Sequence, residues 1–320
     1  MTATLVAVAL LVTATLYVTF GGADFGAGFW NLLAARDPGA RRLIAASVTP
    51  VWESNHVWLV FGLVLFFTGF PAASASVWTV AAPALWLALL GIVLRGAAFA
   101  FLATTRTPGL RRLLNGTFAA SSIVTPFCMG WAIGLVVSGH GWYFAPACGV
   151  LFVAAGAYLA AAYLVREARE TPELERYFAV RAQWAGVVTG LSSIVCLVVL
   201  HTANARLADR LLGRALPLTA LAAACGLAVV VRLFLHRTRG VRILAWTGIA
   251  AVVGAWGTAQ YPVVVPRGGF TLAGSAAPEA SLRALLVVAV LVVVLVVPSF
   301  LLLFSLQNRG ALSGDDPPPG

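Results

Sequence analysis

Long apolar stretches follow one another along this chain with little between them. Runs at 4–30, 50–70, 77–103, 117–138, 143–165, 184–203, 215–235, 241–262 and 283–305 are each long enough to cross about 30 Å of hydrocarbon as a helix. They are continuous, not alternating ten-residue segments, which excludes a transmembrane barrel; backbone groups in lipid must then be satisfied inside helices. The pattern predicts an all-α integral membrane protein with about nine transmembrane helices. Only the links at 166–181 and 261–283 run much past ten residues, and neither holds a soluble domain. Residues 1–310 therefore read as a single polytopic membrane domain, and 311–320 as a polar, proline-rich, disordered tail. The 166–181 link balances arginine against glutamate and is expected to be a solvated helical extension.

Composition supports this solvent: 61% of the 320 residues are hydrophobic and 10% charged, too few polar groups to cover a water-soluble globule. The formal charge of +10 comes from 21 basic residues, every one an arginine. Fifteen of these (36, 41, 42, 106, 111, 112, 166, 169, 176, 181, 232, 237, 239, 242 and 309) fall on one side of the predicted spans. Five (206, 210, 214, 267 and 283) fall on the other, and Arg95 lies within a span. The positive-inside bias makes the richer side cytoplasmic. The first span has no basic residue before it and no convincing cleavage site after it, so it is expected to be a retained helix. The N-terminus is then outside and the C-terminus cytoplasmic. The charge serves topology and contact with anionic membrane lipid, and no nucleic-acid partner is expected.

Metal and haem ligands are sparse. Cys128, Cys148, Cys196 and Cys225 lie singly in apolar runs without the close pairs of a zinc or iron–sulfur site, so no metal is expected. Of four histidines only His56 sits on a helix with other candidate chemistry, and Met129 is the only internal methionine.

The charges inside the spans are more informative, because an acid or arginine near the centre of a membrane helix costs roughly 2.5–3.5 kcal/mol. Asp24 lies late in the first helix within Gly22-Ala23-Asp24-Phe25-Gly26-Ala27-Gly28, where small residues let another backbone approach. Glu53 lies early in the second, within Pro50-Val51-Trp52-Glu53-Ser54-Asn55-His56-Val57-Trp58-Leu59. Two antiparallel neighbours joined by a short loop would bring both acids into the cytoplasmic half of the membrane. Glu53 and His56 share a helix face, as do Trp52 and Asn55. Asp24, Glu53 and His56 can thus hold or pass a proton. Alternatively they form a polar knot that pins two helices, with Asn55 and His56 satisfying the acids and Trp52 and Trp58 as interface anchors. Arg95, about two turns before a cytoplasmic loop, is expected to act as a structural or counter-ion group or to snorkel there along its stem.

The two segments around Asp24 and Glu53 resemble, in order and spacing, the signature segments of subunit II of the cytochrome bd quinol oxidases. Arg95-Gly96-Ala97-Ala98-Phe99 is similar to the family's third-helix segment, Pro126 within Ser121-Ser122-Ile123-Val124-Thr125-Pro126-Phe127 to its fourth, and Ala259-Gln260-Tyr261-Pro262 to the outer end of its eighth. The resemblance runs from the first helix to the last. It implies nine helices, arranged as two four-helix bundles plus one peripheral helix, in a bacterial cytoplasmic membrane. It further implies a terminal oxidase that oxidises quinol and reduces dioxygen to water. Haem b and haem d-type groups and the quinol site would belong to subunit I, with this chain as the non-haem-ligating partner and a small single-helix accessory subunit as a further one. Some members hold a structural quinone, which the shortness of this chain argues against.

The same resemblance makes Glu53 the counterpart of an aspartate in a cytoplasmic proton route and Asp24 that of the first-helix acid, with Trp52, Asn55, Trp58, Arg95, Gly22 and Gly26 as motif positions. Ser54 replaces a glycine, Ala100 stands where many members carry an acid, and Leu102 where many carry arginine. A route through a third-helix carboxylate then needs an acid from the partner. Two alternatives stand beside this reading: a secondary membrane transporter, and a purely structural membrane partner with no proton role.

Overall fold

The computed structural model describes residues 1–34, 37–138 and 143–308, with the side chains of 48–54, 103, 297, 300, 301 and 303–308 outside the description. Among the described residues nine long helices follow in order: α1 Thr2–Leu33, α2 Pro38–Gly69, α3 Pro71–Thr104, α4 Pro108–Val137, α5 Phe144–Glu167, α6 Pro172–Ala203, α8 Leu216–Phe234, α9 Val241–Gln260 and α11 Glu279–Asn308. Eight of them are long and apolar enough to cross a membrane, and the described apolar part of α2, Asn55–Gly69, is a shorter stretch. A short helix α7, Ala205–Leu212, a hairpin of β1 Val263–Val265 and β2 Phe270–Thr271, and a single turn α10, Leu272–Ser275, complete the described chain.

Local sequence explains where the helices start. Pro38, Pro71, Pro108 and Pro172 each occupy a first helical position, where the missing N–H would have had no partner anyway. Asp37 Oδ1 accepts from Ala40 N at 3.0 Å and caps α2. At the other end of the bundle Asn204 both caps α7, accepting from Leu207 N, and donates to Val137 O at 2.9 Å, tying the α6–α7 corner to the end of α4. Arg214 donates to the terminal carbonyls of Thr258 and Tyr261, where a cation meets the negative end of α9.

The helices start earlier than their apolar runs. α2, α4 and α6 begin roughly three turns before the predicted 50, 117 and 184, because their polar first turns continue the helix beyond any hydrocarbon layer. The 166–181 link shrinks accordingly to residues 168–171, most of it becoming the solvated start of α6. The 261–283 link is not irregular either. Its hairpin turns through Gly268 at φ 93° and Gly269 at φ 67°, conformations that side chains with a Cβ rarely adopt. Arg267 N donates to Val136 O at 3.3 Å and Ala277 N to Gly69 O at 2.9 Å, so the hairpin and α10 close over the ends of α2 and α4.

The first four helices form one group and α5, α6, α8 and α9 a second, with α1 and α5 meeting at the seam; α11 lies outside, against α1 and α2. α5 is the central helix, with 67% of its apolar window buried against 17% for α1, α6, α8 and α11. It is rich in alanine and glycine, so backbones approach closely on every side. At this seam Trp30 Nε1 donates to Ala157 O at 2.7 Å. Ala157 O still has the helical bond of its own turn to fall back on. Trp30→Phe is therefore expected to cost only about 1 kcal/mol, read as a small fall in the thermal midpoint in detergent.

Candidate functional site

Three helices converge on one buried charge pair. Late α1 supplies Asp24 and Phe25, late α3 supplies Arg95, and the first half of α4 supplies Phe118 and Ser122. Arg95 Nη1 lies 2.7 Å from Asp24 Oδ2 and Nη2 lies 2.8 Å from Oδ1, a fork on fork; Nη2 also donates to Asp24 O at 2.9 Å. Nε donates to Ser122 Oγ at 2.9 Å, and that hydroxyl in turn donates a hydrogen bond to Phe118 O at 2.6 Å. Four of the five guanidinium N–H donors are thus engaged. The guanidinium carbon sits 4.9 Å from the Phe25 ring and 4.6 Å from the Phe118 ring. Both charged residues are 1% exposed.

Arg95 accordingly does not snorkel. Its stem points inward because the paired acid, a hydroxyl and two ring faces lie there, and a forked guanidinium matches a carboxylate bidentately where a lysine could not. Two turns earlier on α1, Tyr17 donates its hydroxyl to Met129 Sδ on α4 at 3.6 Å. A crevice beside the pair is lined by Ala23, Asp24 and Ala27 of α1, Ser47 of α2, and Ala160, Tyr163 and Leu164 of α5.

The glycines of the first motif explain how α1 can lie so close to its neighbours. A Cβ at Gly26 would overlap the Gly156 backbone on α5, and one at Gly28 would overlap the Ser122 side chain on α4. A Cβ at Gly21 would stand 2.7 Å from Asn55 Nδ2, and one at Gly22 2.6 Å from Leu159 Cδ1. These contacts run α1 and α2 antiparallel, with Ser47 beside Asp24 and Asn55 beside Gly21.

Of the second motif, Asn55 is fully buried and Trp58 is buried, while His56 is half-buried. The Asn55 carboxamide has no hydrogen-bond partner among the described residues, so it does not satisfy Asp24; Arg95 does. The side chains of Trp52 and Glu53 lie outside the description, and the backbone that carries them is helical. Ser122, Phe25 and Phe118 were missed from the sequence. The available signal was the Ser121-Ser122 pair in the fourth-helix segment, two polar residues on one turn facing a span that holds a lone arginine.

His201 and His236 are exposed at opposite ends of the bundle, and Met129 Sδ already accepts the Tyr17 hydroxyl. Among the described residues no group of three or more His, Cys, Asp or Glu side chains is placed to hold a metal ion.

Comparison with known proteins gives a consistent result. A family model described as cytochrome bd terminal oxidase subunit II matches residues 2–307. The chain is 25% identical over 118 residues to the cytochrome bd-I ubiquinol oxidase subunit 2 of Escherichia coli K12, a stretch covering 37% of this chain and 31% of that one. It is 27% identical over 123 residues to the cytochrome bd ubiquinol oxidase subunit 2 of Bacillus subtilis, covering 38% of this chain and 36% of that one. In both cases the match spans about a third of the relative's length. The fold is similar to a chain in the structure of the bd oxidase from Geobacillus thermodenitrificans, with a TM-score of 0.78 and 21% identity over 96% of this chain and 99% of that one.

Proposed function

Because the chain belongs to the cytochrome bd terminal oxidase subunit II family, we propose that it works as the non-haem-ligating half of a quinol:oxygen oxidoreductase in a bacterial cytoplasmic membrane. The partner, subunit I, holds the haem b and haem d-type groups and the quinol site, and dioxygen is reduced to water there. The thin donor set of this chain supports that division. A small single-helix subunit is a further partner. The arginine-rich ends of the helices face the cytoplasm, where the positive-inside bias puts them, with the N-terminus outside.

Within this chain the two acids have different tasks. Asp24 is committed: both carboxylate oxygens and its carbonyl hold Arg95, which makes it a counter-ion that fixes α1, α3 and α4 together. Glu53 is the acid that carries protons toward the partner, with His56 three residues on along the same helix face. The observation that carries this assignment is the engagement of both Asp24 carboxylate oxygens by Arg95, which commits that acid to the guanidinium. Ala100 is exposed on α3, so an acid of the partner has access to the place where many members carry their own. The family assignment leaves the transporter alternative without support.

A purely structural role is the competing reading, favoured by the same ion pair, and one variant separates the two. In the purified complex Glu53→Gln is expected to lower quinol-dependent oxygen uptake by about tenfold or more with an unchanged reduced-minus-oxidised haem spectrum, and Glu53→Asp to restore most of it. Loss of haem in step with activity would instead make Glu53 an assembly residue.

A further inference from the structure

Where α5 ends and α9 begins, a pocket of about 220 Å³ opens beside the turn that joins α8 to α9. Three arginines line it: Arg166 and Arg169 from the end of α5, and Arg242 from the first turn of α9. One carboxylate answers them, Glu167, whose Oε1 lies 3.0 Å from Arg242 Nη1; Glu170 next along is exposed. Arg242 is held in place between the rings of Tyr163 and Trp246, 5.2 and 5.0 Å from its guanidinium carbon. Its Nε is buried without a partner among the described residues, as is Nε of Arg232, whose Nη2 is used on Arg239 O at 2.6 Å.

The start of α9 adds to this positive field. Its N-cap is Gly240, at φ 80°, with no side-chain cap and no acid in the first turn, and Gly240 lines the pocket with Arg242. Helix N-termini with uncapped N–H groups attract compact anions. Beside the arginines the wall is apolar through Ala162, Val165 and Ile243, the last of them exposed. A site that is cationic at its mouth and apolar down its wall suits an anion with hydrocarbon attached.

We propose that this pocket binds the phosphate of an anionic phospholipid headgroup, with the acyl chains lying along the Ile243 wall. Arg166 and Arg169 supply the charge, while Arg242 and the α9 N-terminus fix the phosphate position. The site lies on the arginine-rich side, where basic pockets between helices meet anionic lipid.

The test uses the complex purified with its partner, stripped of lipid and offered phosphatidylglycerol or phosphatidylcholine in mixed micelles, with bound lipid counted by native mass spectrometry. Arg166→Gln/Arg169→Gln is expected to weaken phosphatidylglycerol binding about 30-fold, from about fivefold per arginine. The pair Arg111→Gln/Arg112→Gln, exposed on the same side, is expected to leave it within about twofold. Equal phosphatidylglycerol binding by wild type and the pocket variant would overturn the proposal. Inorganic phosphate, compared with chloride at matched ionic strength, separates the two sources of the anion. Phosphatidylglycerol that stays bound against phosphate in excess supports a lipid site, whereas its full replacement by phosphate at the same concentration marks a site for the free ion and overturns the lipid assignment. Should the variant fail to assemble, the wild-type complex decides alone: preference for phosphatidylglycerol supports the site, and equal retention of both lipids refutes it.

Discussion

Replacing Arg95 by leucine is expected to destabilise this subunit by about 3–5 kcal/mol, seen as loss of assembled complex from the membrane or a collapse of its thermal midpoint in detergent. The reason is what the change leaves behind. Asp24 would be left with its carboxylate fully buried and its partner gone, and the two rings that flank the guanidinium offer it nothing. Against a total stability of about 5–15 kcal/mol for ordinary folded proteins, that loss is large. Asp24→Asn should be as harmful, since it strands the arginine. The double variant Asp24→Asn/Arg95→Gln should recover a substantial part, because neither charge remains to be compensated. Arg95→Lys keeps the charge but gives up the fork and the bond to Ser122, so it should fall between wild type and leucine. Strictly additive single-variant effects would mean that the two side chains are not coupled, and the knot would lose its meaning.

Much of the architecture could be read from the sequence, and the reason is lipid. A span needs about twenty apolar residues, so the nine runs correspond to nine long helices among the described residues, eight of them apolar enough over their described length to cross a membrane. α7 and the hairpin escaped notice because eight residues and two short strands carry no comparable signal, and both lie in links where polar and apolar residues mix. Asp24 and Arg95 were each visible as costly charges. Their partnership was not, because 71 residues separate them and nothing in the spacing says that α3 turns this face toward α1. Arg95 therefore read as a counter-ion or structural group with its partner unidentified, or as a side chain able to snorkel to the interface. The small residues around Asp24 announced a close helix contact but not its partners, which are α5 at Gly22 and Gly26, α4 at Gly28 and α2 at Gly21.

The contact with α5 sets the second large expectation. Gly26→Ala should disrupt the seam between the two helix groups, costing about 3 kcal/mol or more, because the added methyl would overlap the Gly156 carbonyl and stand 2.8 Å from Ala160 Cβ. A backbone carbonyl inside a helix cannot swing aside; α1 or α5 must move as a body. Gly22→Ala is the control one turn away, where the new Cβ would meet a single terminal atom, Leu159 Cδ1, at 2.6 Å and nothing else nearer than 3.8 Å. The leucine end can rotate, so the cost should be nearer 1 kcal/mol and should shrink further when combined with Leu159→Val. Gly26→Ala has no such partner, since the obstacle is main chain. The two variants also differ in reach. A displaced α1 carries Asp24 away from Arg95, so Gly26→Ala should abolish the stability difference between Arg95 and Arg95→Leu backgrounds, whereas Gly22→Ala should leave that difference intact. Thermal midpoints of the four combinations in the purified complex would show whether the small-residue seam is what holds the buried charges together.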